Sequence, residues 1–256
     1  MVKVKQLPTR QRIRKALVFI SFLLLPVTLY YFSPALILGG ASQGVVNGSL
    51  IVFGLMFVSA LFVGRLWCGW VCPAGGLQES CAPINARPVP GGRFNWIKWG
   101  IWIPWIGGIA MLAVRAGGYH TVNPFYGLEG GVTMAIPPDP QAPPWYMIYY
   151  IILALFAGLA IVVGRRAGCH TVCWMAPFMI LGRKIRNLVR WPALRLVAQP
   201  DKCSDCLTCT RECPMSLDVH EMVQRADMED AECILCGTCV DGCSKKAIRF
   251  SFSGGE

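Results

Sequence analysis

Hydrophobic residues fall into long uncharged stretches along this chain, separated by short polar and basic segments. No charged residue occurs from Ala16 to Gly64, a run of 49 residues. A helix needs only about 20 residues to cross a bilayer, so this run must turn back on itself. The segment 33–49 supplies the Pro, Asn and Gly residues that end helices. The pattern predicts two membrane helices, over about 16–37 and 49–67.

Two further apolar stretches predict a third and a fourth membrane helix. The third covers about 97–115, and tryptophans recur at every third position near its start, which is typical of anchoring at a membrane surface. The fourth covers 145–164 and contains no charged residue. We therefore expect four membrane-spanning helices, the first of them kinked at Pro26.

The basic residues predict the orientation of these helices. Six Lys or Arg precede the first helix, four lie between the second and the third, and six follow the fourth within 165–190. The connection between the first two helices and the loop 116–144 contain none. Because basic residues accumulate on the cytoplasmic side, we expect a multi-pass protein of the cytoplasmic (inner) membrane with both termini in the cytoplasm.

Composition and charge divide the chain into two parts. Of 256 residues, 15% are charged, against about 25% in an ordinary soluble domain. Residues 1–200 contain 18 Lys and Arg but 3 Asp and Glu, whereas residues 201–256 contain 6 and 11. We expect a membrane domain over 1–199 and a second domain over 200–256, whose acidity favours docking on a basic partner. The basic residues flank apolar stretches, which indicates membrane topology and not nucleic-acid binding.

The C-terminal domain contains two cysteine runs with the spacing of iron–sulfur ligands. Eight of the thirteen cysteines form them: Cys203, Cys206, Cys209 and Cys213, then Cys233, Cys236, Cys239 and Cys243. Gaps of two residues let a tight loop bring three thiolates to one cluster, and in two-cluster ferredoxins the fourth comes from the other run. We therefore predict two [4Fe–4S] clusters, one held by Cys203, Cys206, Cys209 and Cys243, the other by Cys233, Cys236, Cys239 and Cys213. Structural zinc is the alternative for sets of four cysteines.

These runs resemble the bacterial-type 2×[4Fe–4S] ferredoxin domain. The membrane part, with Gly64-Arg65-Leu66-Trp67-Cys68-Gly69-Trp70-Val71-Cys72-Pro73, resembles the polytopic membrane 4Fe–4S binding (polyferredoxin) family of NapH-like and NosR-like proteins. The resemblance implies an α-helical integral membrane protein with a small α+β dicluster domain. It also implies quinol oxidation or related electron transfer, with quinone or quinol as a ligand. A redox protein, or other subunits of a membrane complex, would be the partner.

A short internal repeat leads into two cysteine pairs of the membrane part. Val63-Gly64-Arg65 precedes Cys68 and Cys72, and Val163-Gly164-Arg165 precedes Cys169 and Cys173. Parallel two-helix repeats would bring both pairs to one membrane depth. With the two cysteines of each pair one helical turn apart, and basic residues nearby to favour thiolates, the pairs could hold a metal ion or an additional iron–sulfur cluster. The alternatives are buried thiols or a thiol–disulfide switch.

The remaining reactive side chains are less informative. Cys81 has no partner in this scheme, and His120 and His220 are expected to be structural. His170 lies inside the second cysteine pair and could bond a quinone oxygen, although a structural role is favoured. No nucleotide-binding fingerprint or catalytic triad is present, so we expect no nucleotide ligand and assign no catalytic residue.

We interpret the chain as a membrane-bound electron-transfer protein. It would relay electrons between the quinone pool, or an intramembrane cysteine or metal centre, and a redox partner. One alternative is an assembly or regulatory factor that supplies electrons for maturation of a metalloenzyme. Another is a wiring or anchor subunit of a larger redox complex, without its own quinone site.

Overall fold

The computed structural model describes residues 7–89, 92–127 and 145–254, so part of the predicted loop 116–144 lies outside the described residues. The described chain is mostly helical. Its α-helices are α1 (Thr9–Leu23), α2 (Leu25–Thr28), α3 (Pro34–Ser42), α4 (Gly48–Val63), α5 (Leu66–Trp70), α6 (Pro73–Cys81), α7 (Ile97–Arg115), α8 (Trp145–Val162), α9 (Ala167–Thr171), α10 (Ala176–Leu188), α11 (Thr208–Arg211), α12 (Val219–Gln224) and α13 (Thr238–Gly242). Its strands are β1 (Val45–Asn47), β2 (Thr121–Asn123), β3 (Ala193–Ala198) and β4 (Ile248–Ser253).

Helices α1, α4, α7 and α8 lie where the apolar stretches predicted membrane helices. Helix α7 has the predicted bounds, and α8 ends two residues earlier than expected. The first predicted helix is broken after α1, where the chain bends by 61° just before Pro26, which lacks the N–H that would continue the helix. Helix α4 ends at Val63, four residues before the predicted end, because Gly64 turns the chain with a φ of 56°.

The described chain contains one helix that is long and apolar enough to cross a membrane, 94–115. The bent unit 9–32 would make a second, whereas Gly48–Val63 and Tyr149–Val162 are apolar but shorter. Large hydrophobic side chains remain exposed on α1, α4, α7 and α8, among them Ile20, Leu23, Leu55, Val58, Ile103, Val114, Ile151 and Val162. Exposed apolar side chains in such numbers are typical of surfaces that contact a membrane or another protein.

The helix that follows each cysteine pair packs against the helix that precedes the other pair. Helix α4 leads through α5 into α6, and α6 packs against α8. Helix α8 leads through α9 into α10, and α10 packs against α4. In each half of the repeat, the helix after the cysteine pair therefore packs against the other half. The two cysteine pairs lie at the point where the two halves cross.

The C-terminal region is joined to the helices through one continuous core. Strand β3 pairs antiparallel with β4, from Ala193 opposite Ser253 to Ala198 opposite Ile248. The sheet of this region therefore reaches back before the predicted boundary at residue 200. Buried residues of the membrane part and of the C-terminal region belong to the same hydrophobic cluster. At the other end of the helices, β1 and β2 form a short parallel pair.

Candidate metal centres

The two C-terminal cysteine runs fold into loops of the same backbone shape. In each loop, the residues before and after the second cysteine take a positive φ: Asp205 and Leu207 in the first, Leu235 and Gly237 in the second. A short helix follows each loop, α11 or α13, and carries the third cysteine of the run. Local backbone geometry therefore repeats, as the repeated spacing in the sequence suggests.

Two cavities collect these eight cysteines in crossed sets. One cavity is lined by Cys213, Cys233, Cys236 and Cys239, which we call the inner quartet. The other is lined by Cys203, Cys206, Cys209 and Cys243, which we call the outer quartet. Each cavity takes three thiols from one run and the fourth from the other, which is the arrangement that the crossed ligation requires.

The spacing of the thiols bears on which cofactor they fit. Zinc–thiolate bonds of about 2.3 Å set the sulfurs of a tetrahedral site only about 3.8 Å apart. Among the described residues, one group of three ligand-type side chains lies within 4.8 Å of one another, and it is Cys203, Asp205 and His220. No three thiols of one quartet lie that close. The described residues fit [4Fe–4S] clusters, in which each thiolate binds a different iron, better than zinc.

The inner and outer quartets differ in their surroundings. In the inner quartet, Cys213, Cys236 and Cys239 are only 7–8% exposed, and methionines and Ile234 line the cavity around them. In the outer quartet, Cys206 is exposed and the other three cysteines are half-buried. Cys233, the fourth cysteine of the inner quartet, is half-buried, so the inner thiols are on the whole less exposed than the outer ones.

The two membrane cysteine pairs lie together in the core. We call Cys68, Cys72, Cys169 and Cys173 the membrane quartet, and each is only 3–4% exposed. The pairs have matching backbones, since the N–H of Cys72 donates to the carbonyl of Trp67 at 3.0 Å and that of Cys173 to Gly168 at 3.1 Å. The helix ends before the second cysteine in each pair, so the two cysteines do not share a continuous helical face as the spacing suggested.

Burial acts on the pKa of three thiols of the membrane quartet. Burial raises the pKa of Cys68, Cys72 and Cys173, and the other thiols of the quartet are close enough to raise it further. The neighbouring arginines lower the pKa of Cys68 and Cys173, but by less than burial raises it. Burial thus opposes the thiolate form in the absence of a bound cation, and the nearby arginines favour it.

Two arginines are fully buried beside the membrane quartet. Arg65 is 0% exposed, and among the described residues its Nε and Nη2 have no hydrogen-bond partner of standard geometry. It lies close enough to Cys68 and Cys173 for their charges to interact, and its guanidinium lowers the pKa of the Cys68 thiol. Arg166 is 1% exposed and donates to the carbonyl of Cys68 at 2.8 Å. Its charge is balanced by Glu79, 2.6 Å away. Burial opposes the Glu79 carboxylate, but Arg166 and Arg14 outweigh it and lower the Glu79 pKa to about 2.

The membrane quartet is in direct contact with the loops of the inner quartet. Gly69 lies so close to the carbonyl of Ile234 that a methyl group there would overlap it. Trp70 donates from its indole nitrogen to the carbonyl of Leu235 at 3.2 Å. On the other side, His170 is 3.1 Å from the carbonyl of Met215, which is two residues after Cys213. Each membrane pair thus touches a segment that carries inner-quartet cysteines.

Ion pairs between the two parts of the chain surround the inner quartet. Glu232 pairs with Arg65 at 2.8 Å and with Lys98 at 2.5 Å, and all three side chains are almost fully buried. Asp241 pairs with Arg10 of α1. Glu229 pairs with three arginines: Arg183, Arg186 and Arg195. These contacts were not predicted. The charge asymmetry between residues 1–200 and 201–256 was the feature of the sequence that could have indicated them. Three of the eleven acidic residues of 201–256, Glu229, Glu232 and Asp241, are thus paired within the chain with residues of 1–200.

The remaining candidate residues have structural contacts. His170 is 1% exposed and bonds to Asn95 and to the carbonyl of Met215, and burial lowers its pKa to about 4. His220 bonds to Asp205, 2.8 Å away, and His120 lies beside the carbonyl of Gly118. Cys81 is buried at the end of α6 and is not part of the core cluster that holds the membrane quartet.

Two family matches cover the cysteine-bearing segments. A 4Fe–4S dicluster domain matches residues 202–248, and a 4Fe–4S binding domain matches residues 47–85, which contain Cys68 and Cys72. Together the matches indicate [4Fe–4S] clusters as cofactors. No solved structure matches the chain.

Similar proteins are found in bacteria and archaea. The uncharacterized protein MJ0749 of Methanocaldococcus jannaschii is 24% identical, over 94% of this chain and 86% of its own length. Protein RdxA of Cereibacter sphaeroides is 27% identical over 80% of this chain, which spans only 45% of RdxA. The ferredoxin-type protein NapH of Haemophilus influenzae is 21% identical over 75% of this chain and 64% of its own length.

Proposed function

The chain belongs to the ferredoxin-type 4Fe–4S proteins, with NapH, YccM, FixG and RdxA homologues, and from that premise we propose that it relays electrons between a membrane and a redox partner. It is an iron–sulfur electron-transfer protein in this reading, and the electron chemistry resides in its clusters. The inner quartet would hold one [4Fe–4S] cluster and the outer quartet the other. The residues around them position the clusters and set their potentials.

The observation that carries this proposal is the difference in access between the two quartets. The outer quartet has an exposed cysteine at the surface of the C-terminal region. The inner quartet lies between it and the helices, in contact with both membrane cysteine pairs. An electron moving between the membrane part and a soluble or membrane-bound partner has a stepwise route through these two sites.

We further propose that α1, α4, α7 and α8 cross the cytoplasmic membrane and that both termini are cytoplasmic. The exposed apolar side chains on these helices and the distribution of basic residues support this topology. A reporter fused after Glu256 should then be active only in the cytoplasm, and one inserted in the loop 116–144 only outside it. The reverse pattern would overturn the topology.

Quinol is the electron donor that this proposal assigns to the membrane side. Oxidation of one quinol to quinone releases two protons and two electrons, and each [4Fe–4S] cluster accepts one electron at a time. The purified protein in lipid nanodiscs, oxidised and free of oxygen, should therefore be reduced by added quinol, with bleaching in the visible spectrum and electron paramagnetic resonance (EPR) signals of reduced clusters. Reduction by dithionite but not by any quinol would reject the quinone role.

The two alternatives differ from this proposal in their requirements. A wiring subunit without its own quinone site would be reduced by quinol only when its complex partners are present. An assembly factor would transfer electrons to a metal or a thiol of an immature protein and would show no steady turnover. Reconstitution with and without co-purifying subunits therefore separates the three functions.

A further inference from the structure

We propose that the membrane quartet, Cys68, Cys72, Cys169 and Cys173, binds a third [4Fe–4S] cluster, adjacent to the inner quartet. This goes beyond the two-cluster relay proposed above, because it adds a cofactor at a site built from two segments a hundred residues apart. The second pair lies outside both family matches, which cover residues 47–85 and 202–248.

The arrangement of the thiols supports a cluster at this site. All four side chains are buried at the crossing of the two helix pairs, and their charges would interact across the group. All four are free cysteines, not joined in disulfides. No three of them lie within 4.8 Å of one another. A single tetrahedral ion would require thiolates about 3.8 Å apart, whereas a four-iron cluster takes each thiolate at a different iron.

The buried charges around the quartet require a dianion. Four cationic side chains next to it are at most 3% exposed: Arg14, Arg65, Lys98 and Arg166. Among the described residues, two carboxylates are paired with them, Glu79 and Glu232. Burying two uncompensated charges is unfavourable. Four thiolates around an oxidised cluster core of charge +2 carry a net charge of −2. This charge balances the two positive charges that the carboxylates leave uncompensated.

Arg65 supplies the hydrogen-bond donors for such a dianion. Its side chain is 0% exposed, and its Nε and Nη2 are without partners among the described residues. Buried guanidinium groups are ordinarily paired, because an unpaired buried donor costs about 1–3 kcal/mol or more. Its charge interacts with those of Cys68 and Cys173, one cysteine from each pair. The thiolates and sulfides of a cluster would accept these bonds, as they do in other iron–sulfur sites.

The contacts with the inner quartet give this third cluster a place in the relay. Gly69, between Cys68 and Cys72, allows the backbone of Ile234 to approach, and His170, between Cys169 and Cys173, is bonded to the carbonyl of Met215. The membrane cluster would be the first stop for electrons on the membrane side, followed by the inner and then the outer cluster.

Iron and sulfide content per chain tests the proposal without any activity measurement. We expect about twelve iron and twelve sulfide in the anaerobically purified protein, because three [4Fe–4S] clusters each contain four of each. Eight of each, or ten with a two-iron cluster, would overturn the proposal. Eight iron with one zinc would identify zinc as the occupant of the site. Eight iron with four titratable thiols in addition to Cys81 would show that the site holds free thiols.

Matched cysteine variants locate the additional iron. Cys72→Ala and Cys173→Ala should each lower the content from about twelve to about eight iron and leave the EPR signals of the C-terminal clusters unchanged. Cys81→Ala, a buried cysteine outside the quartet, should keep twelve. If the Cys72 and Cys173 variants fail to accumulate, Mössbauer spectra of the wild-type protein count the clusters directly. Two clusters there would overturn the proposal.

Potential measurements then test the role of Arg65. Arg65→Gln should lower the reduction potential of one cluster, since it removes a positive charge beside it. Arg183→Gln, next to the carbonyl of Cys233, should instead lower that of the inner cluster. If Arg65→Gln shifts only the signal that Arg183→Gln shifts, the third cluster is not beside Arg65. Twelve iron without reduction by quinol would reject the quinone role and leave the third cluster in place.

Discussion

The inner and outer halves of the ferredoxin region have the same loop backbone but different environments. Around the inner quartet, acidic side chains are paired with basic side chains of the helices, among them Glu232 with Arg65 and Lys98. Around the outer quartet, Asp205 and Glu221 are exposed and pair only with His220 and Arg225 of the same region, among the described residues. The repeated cysteine spacing thus specifies two similar loops, and the rest of the chain gives the two quartets different surroundings.

The largest expected difference between the halves comes from the two cysteines that cross between the runs. Cys213→Ser should remove the inner cluster and Cys243→Ser the outer one, each with a loss of about four iron. A water-soluble paramagnetic relaxant should speed the relaxation of the outer EPR signal more than that of the inner one. The Cys243 variant should therefore keep the poorly accessible signal. If Cys213→Ser instead damages the accessible cluster, the crossed ligation is wrong.

Removing a buried carboxylate should affect the inner half far more than the outer half. Glu232→Ala leaves Arg65 and Lys98 buried without a counterion, and breaking such a pair costs about 3–5 kcal/mol of folding free energy. Glu221→Ala removes an exposed pair with Arg225 and should cost less than about 0.5 kcal/mol. Denaturant unfolding in detergent measures both. Equal losses for the two variants would mean that the inner contacts do not hold the region to the helices.

The sequence predicted the chemistry of the C-terminal region because cysteine spacing acts locally. Two-residue gaps and the loop backbone are set within about ten residues, so the crossed sets could be proposed before the structure. The apolar stretches likewise located α4, α7 and α8. The break after Leu23 was expected only as a kink at Pro26, and its bend of 61° depends on what packs around it.

The ion pairs between residues far apart in the chain could not be predicted from the sequence. Glu232 meets Arg65 and Lys98 across 167 and 134 residues, and no periodicity connects these positions. The charge asymmetry between the two parts was visible, but it was attributed to membrane topology and to docking on another protein. In the folded chain, basic residues of the first part such as Arg65 and Lys98 pair with Glu232 of the inner half.

Acid should weaken the inner half in a defined pH range. Burial opposes the Glu229 carboxylate, but Arg183 and its neighbours outweigh it and lower the Glu229 pKa from 4.5 to about 2. Because the folded-state pKa lies below the unfolded one, the stabilisation is complete above pH 4.5 and is lost as the pH falls towards 2. For this partly exposed side chain we expect about 1–2 kcal/mol.

Hydrogen–deuterium exchange of β3 and β4 at pH 5 and pH 3 measures this loss, with Glu229→Gln as the matched variant. In the wild-type protein, protection after correction for the intrinsic exchange rate should fall between the two pH values. In Glu229→Gln it should already be low at pH 5 and change less. A fall of equal size in both proteins would assign the pH dependence to other groups.

The smallest expected difference concerns one glutamine on each half. Gln11 of α1 is 3% exposed and donates to the carbonyl of Cys236 at 3.0 Å and to Asp241 at 2.6 Å. Gln224 donates to Asp205 at 2.8 Å on the exposed side of the outer half. Gln11→Ala leaves a buried carbonyl unpaired and should cost about 1–2 kcal/mol, whereas Gln224→Ala should be close to neutral because water replaces its contact. Denaturant midpoints of the two variants, compared with the wild-type protein, decide this. If Gln224→Ala proved the more destabilising, the hydrogen bonds of Gln11 would not contribute to holding α1 against the inner half.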